Sequence, residues 1–134
     1  MSQPRGPENS RPVVLVAEDE PGFRRSLAES LVRHGYGVLE AGSGEEVVVV
    51  ARRERPALIL MDVMMPLLDG YAAARVLRRD PSTRGIPILA FNAPSQRNGG
   101  RRRGAPLRSD DELRLIRKIH IILEMKENRP ALRA

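Results

Sequence analysis

Three carboxylates stand where two short apolar runs end. Val13-Val14-Leu15-Val16-Ala17 leads into Glu18-Asp19-Glu20-Pro21, and Leu58-Ile59-Leu60-Met61 leads into Asp62-Val63-Met64-Met65-Pro66. In a parallel sheet with helical crossovers, ligands bind outside the carboxyl ends of the strands. Glu18, Asp19 and Asp62 would then crowd into one crevice. Like charges at that range repel strongly unless a cation lies between them. An all-oxygen donor set suits a hard ion such as Mg2+. These residues point to a small site for metal-assisted phosphate chemistry.

The elements that must position those acids alternate short apolar runs with amphipathic segments, the pattern of βαβ units and a parallel sheet. Val13–Ala17 is β-rich and does not alternate, so it is expected as a buried strand. Pro21 suits a helix start, and Phe23, Leu27, Ala28 and Leu31 follow at helical spacing until His34-Gly35. Residues 36–41 form the second expected strand. Ser43-Gly44-Glu45-Glu46 is a capping box that opens a helix, although Val47-Val48-Val49-Val50 is a β-branched run that opposes it. Pro56 follows the end of that helix, and residues 57–61 are the third strand. A helix over about 69–79 offers Tyr71, Ala74, Val76 and Leu77 for burial, and residues 86–91 are the fourth strand. Residues 93–108 are an irregular Arg/Gly-rich stretch. A second capping box, Ser109-Asp110-Asp111-Glu112, opens a last helix with Leu113, Ile116, Ile119, Ile122 and Leu123 toward the core.

At 134 residues the chain is expected as one domain over 12–125, with polar tails at 1–11 and 126–134. There is no Cys, which excludes disulfides, thiolate metal sites and cysteine nucleophiles. Apolar runs are too short to cross a bilayer, and residues 1–11 lack the apolar stretch of a signal peptide. A cytoplasmic protein is expected. The formal charge of +6 gathers around Arg97, Arg101, Arg102, Arg103 and Arg108. No aromatic side chain is interleaved there for base stacking, so a solvated loop is favoured over nucleic-acid contact.

Taken together these segments resemble the receiver domain of bacterial two-component response regulators. The resemblance rests on Leu15–Pro21, Gly44-Glu45-Glu46, Leu58–Gly70 and Arg79–Ile88, at these spacings and in this order. It implies a flavodoxin-like doubly wound α/β sheet of strand order 2-1-3-4(-5). It also implies that Asp62 accepts a phosphoryl group from a histidine kinase or histidine phosphotransfer protein. Under the same resemblance Asp19 binds Mg2+ directly, Glu18 acts through a water, and Asp62 and the Met64 backbone carbonyl add ligands. A carboxylate nucleophile fits, because it can attack phosphorus and form an acyl phosphate. Pro66 and Gly70 are expected as turn and helix-start geometry, and Asp69 as a helix cap.

Two positions depart from the family pattern. Asn92 stands where the fourth strand would end in Thr or Ser, and Ala105-Pro106 offers no Lys after a fifth strand. The interval from Asn92 to Pro106 is short for a helix 4 and a strand 5, so both are expected to be missing or irregular. The abrupt composition change also fits a frame-shifted reading that ends near Ser109. No effector domain follows, so a stand-alone receiver is expected, at most catalysing its own phosphorylation and dephosphorylation. The competing reading is a pseudo-receiver that binds partners without phosphotransfer. A hydrolase on a similar sheet would need a second acid two residues after Asp62, where Met64 stands.

Overall fold

The computed structural model describes residues 11–63, 70–91 and 109–133. In chain order these form β1 (Val13–Ala17), α1 (Pro21–Arg33), β2 (Gly37–Ala41), α2 (Gly44–Glu54), β3 (Leu58–Asp62), α3 (Gly70–Arg79), β4 (Ile88–Phe91) and α4 (Ser109–Arg133). The expected strand 5 and helix 4, and Met64, Pro66, Asp69, Asn92, Arg97, Arg101–Arg103, Ala105, Pro106 and Arg108, lie outside the described residues.

β1 pairs in parallel with β2 and β3, and β3 with β4, giving the order β2-β1-β3-β4 of a flavodoxin-like sheet. The two inner strands are the continuous apolar runs, and Val14–Ala17 and Leu58–Asp62 are buried. Strand alternation divides the core in two. Val14, Val16, Leu58 and Leu60 pack with Phe23, Leu27 and Leu31 of α1 and Ile119 and Leu123 of α4. Leu15, Ala17, Ile59 and Met61 pack on the other face with Val47, Val50 and Ala51 of α2 and Ala73 and Leu77 of α3. A large aliphatic buried this way contributes about 1.5–3 kcal/mol. Truncating Leu60 to Ala therefore costs about 2–5 kcal/mol.

Helix ends follow their local chemistry. Glu20 caps α1 by accepting from the Phe23 N–H at 2.8 Å, with Pro21 as the first helical residue. Gly35 takes φ 95° just beyond the end of that helix, a region open to Gly. Ser43 caps α2 by accepting from the Glu46 N–H at 3.1 Å, and the Glu46 carboxylate reaches back to the Gly42 N–H at 2.8 Å. The valine run stays helical because tertiary burial outweighs propensity. Val47 and Val50 fill the second core cluster, while Val49 faces outward.

Several expected details differ. β4 begins at Ile88 instead of residue 86, because the Ile86 N–H closes a turn onto the Thr83 carbonyl and Pro87 has no N–H for a ladder. Tyr71 and Val76 are exposed, since the buried stripe of α3 runs through Gly70, Ala73 and Leu77. Leu113 is exposed as well. It lies about 120° around α4 from Ile119 at 100° per residue, off the stripe that faces the sheet. The backbone of α4 continues through the expected tail to Arg133.

Candidate metal centre

Register brings the acids together. Ala17 pairs with Met61 across β1 and β3, so the next residues, Glu18 and Asp62, emerge side by side at the same edge. The Glu18 N–H continues the ladder by donating to the Ala41 carbonyl at 3.0 Å. One carboxylate oxygen from each of Glu18, Asp19 and Asp62 falls within 4.8 Å of the others. Glu18 and Asp62 are buried and Asp19 is half-buried. The three expected acids therefore converge.

The β1–α1 turn holds them there. Glu18 Oε2 accepts from the Glu20 N–H at 2.9 Å. Arg24, one turn into α1, donates from Nη1 to the Glu18 carbonyl at 2.9 Å and from Nε to Glu40 Oε1 at 3.1 Å. Neither Arg24 nor Glu40 stands out in the sequence, because nothing in their spacing separates them from the many other charged residues. At β3, Gly70 lets α3 start close to the strand end: a Cβ there would lie 3.2 Å from the Asp62 carbonyl oxygen and 3.4 Å from Met61 Sδ. The Val63 N–H donates to the Phe91 carbonyl at 3.1 Å, tying that end to β4. Phe91 meets Phe23 of α1 with ring centroids 6.3 Å apart. The Met64 carbonyl and Asn92 cannot be placed in this arrangement, as both lie outside the described residues.

The electrostatics of the crevice suit a cation. Burial, and then the neighbouring Asp62 carboxyl, push Glu18 up to about 9, against the opposing effect of the Glu20 N–H. Glu18 Oε1 is buried and no hydrogen-bond donor faces it among the described residues. Three clustered carboxylates with a donorless buried oxygen are what a hard divalent ion requires of its ligands. The residues present fit Mg2+.

The model of the response regulator receiver domain matches residues 14–102. The chain belongs to that family. It carries, accordingly, a receiver domain of the kind found in two-component signalling. The protein PilH of Pseudomonas aeruginosa is 34% identical over 116 residues, covering 82% of this chain and 96% of PilH. The probable transcriptional regulator ycf27 of Porphyra purpurea is 41% identical over 86 residues, covering 64% of this chain. The matched part spans only 34% of that regulator's own length. Among solved structures, the receiver domain of a sensor histidine kinase from Pseudomonas aeruginosa PAO1 is 35% identical with a TM-score of 0.59. The match covers 64% of this chain and 70% of that one, whose structure has a magnesium ion coordinated in the active site cleft. No helix among the described residues of this receiver is long and apolar enough to cross a membrane.

Proposed function

We propose that this receiver binds Mg2+ at Glu18, Asp19 and Asp62 and accepts a phosphoryl group on Asp62. The observation that carries this reading is the convergence of the three carboxylate oxygens within 4.8 Å at the ends of β1 and β3. Asp19, half-buried, takes the metal directly, and Glu18 acts through a water, with the Met64 backbone carbonyl as a further ligand. When bound, Mg2+ supplies positive charge that offsets the charge on the transferring phosphoryl oxygens. An Asp62 carboxylate oxygen attacks phosphorus, forming a P–O bond as the P–N bond to the donor imidazole breaks. The electron pair of that bond stays on the imidazole nitrogen, which then takes a proton. The product is an acyl phosphate on Asp62. The donor is a histidine kinase or histidine phosphotransfer protein, met in the cytoplasm, and the receiver unit is residues 12–125.

Incubation with Mg2+ and a small phosphodonor tests this. Wild type is expected to be labelled and Asp62→Asn is not. A second reading, an interaction module without phosphotransfer, draws on Asn92 and Ala105 in place of the hydroxyl and the Lys of the family pattern. It predicts intact Mg2+ binding with no labelling of wild type, and that result would sink the phosphoacceptor reading.

A further inference from the structure

The structure assigns Arg24 a positioning role: its guanidinium clamps the Glu18–Asp19 peptide to β2 and so aims Asp19 at the metal. This inference rests on the proposed Mg2+ site. The peptide unit whose carbonyl belongs to Glu18 carries the N–H of Asp19, so fixing that carbonyl fixes the plane that holds the Asp19 N–H and Cα and leaves the Asp19 φ to set where its side chain leaves the backbone. Arg24 Nη1 donates to that carbonyl at 2.9 Å, and its Nε is anchored on Glu40 Oε1 at 3.1 Å. Glu40 is held from a second side by Arg25 Nη2 at 3.5 Å. The backbone of Arg24 is held at the start of α1, where its N–H donates to the Glu20 carbonyl at 2.9 Å.

Gly42 is an independent sign that room is kept for this group. A Cβ at Gly42 would lie 3.0 Å from Arg24 Nη1, so a side chain there would make the guanidinium tip give by a few tenths of an ångström. The clamp also uses what only Arg offers. A planar fork donates in two fixed directions at once, whereas a Lys ammonium is a single point on a flexible stem. Residues that orient a metal ligand without touching the ion typically alter affinity by about 10–100-fold when removed.

Mg2+ titration of the full chain by calorimetry, with thermal unfolding and the amide shift of Asp19 measured in the metal-free protein, tests the assignment. Arg24→Ala is expected to weaken Mg2+ binding by about 10-fold or more, and Arg24→Lys by several-fold although charge is kept. Gly42→Ala gives a smaller loss in the same direction. In each variant the Asp19 amide resonance moves before any metal is added. If Arg24→Ala fails to fold, Arg24→Lys decides. Should Arg24→Lys bind Mg2+ as wild type does, with an unmoved Asp19 amide, the positioning role is overturned while the metal site stands. Should wild type bind no Mg2+, or Asp19→Asn bind it equally well, the site reading falls and this inference with it.

Discussion

Two groups of carboxylates in this receiver contrast sharply. At the ends of β1 and β3, Glu18 is buried beside Asp62 and Asp19, and is pushed up to about 9. Two acids elsewhere are given partners. Glu112 of α4 accepts from the Ser30 hydroxyl of α1 and from Arg33 Nη2, and these donors hold it below the ordinary value. Asp80 accepts from the Ser82 N–H and hydroxyl and from Arg52 Nε, and is lowered to about 2. The residue types are the same and the shifts are opposite. The protein satisfies Glu112 and Asp80 where they serve as fasteners, whereas at the crevice Glu18 has a donor on Oε2 only, and Oε1 is buried with none facing it among the described residues. A buried carboxylate oxygen without a donor is therefore better evidence of a site than acidity alone.

The largest effect that could break this contrast is metal linkage. An ion that binds the folded chain only stabilises it by about 2.7 kcal/mol at a hundredfold excess over Kd. Urea unfolding with and without Mg2+ is expected to show a gain of that order in wild type and little or none in Asp19→Asn. Asp80→Asn should keep the full gain. Equal stabilisation of all three proteins would mean that Mg2+ acts elsewhere on the surface, and the contrast would lose its meaning.

Next in size is the fastener between α1 and α4. Ser30 is buried at 4% exposure, and its hydroxyl is the largest cause of the low Glu112 value. Ser30→Ala removes that bond and is expected to cost about 1 kcal/mol, rising toward about 3 kcal/mol if Glu112 is left facing apolar surface. Its Mg2+ affinity should match wild type. A Ser30→Ala protein with full stability but weakened metal binding would show that the two groups of acids are not separate devices.

Much of this arrangement is legible in the sequence, and the legible parts share a physical cause. β1 and β3 are inner strands covered on both faces, so their apolar runs are unbroken and their ends are marked by Glu18 and Asp62. Helix starts at Pro21 and Ser43 are announced by capping residues that act within a few positions. Details that depend on tertiary contact are less visible. The valine run of α2 looks like a strand until Val47 and Val50 are seen to fill a core cluster. Tyr71 and Val76 look buried because their spacing is helical, yet α3 turns Gly70, Ala73 and Leu77 inward. Ile86 looks like strand because it is β-branched, although Thr83 turns its backbone away. Arg24 and Glu40 are 16 positions apart, and only the parallel pairing of β1 and β2 reveals that they meet.

The smallest effect concerns acid. Asp80 titrates at about 2 in the folded chain and near 3.8 when unfolded, chiefly because the Ser82 N–H and then Arg52 favour its charged form. A depressed carboxylate adds stability above its unfolded value and loses it as pH falls through its folded value. The difference in urea midpoint between wild type and Asp80→Asn is thus expected to be constant from pH 7 to 5. It should shrink below about pH 4 and vanish only below about pH 2. Glu112 is also held below its ordinary value but is present in both proteins, so it cancels in the difference. Because Arg52 is half-exposed, 1 M salt should reduce its part of the difference while leaving that of the Ser82 N–H. A difference that persists unchanged to pH 2 would mean that the Asp80→Asn substitution removes something other than charge, and Asp80 would no longer stand as the donor-satisfied counterpart of Glu18.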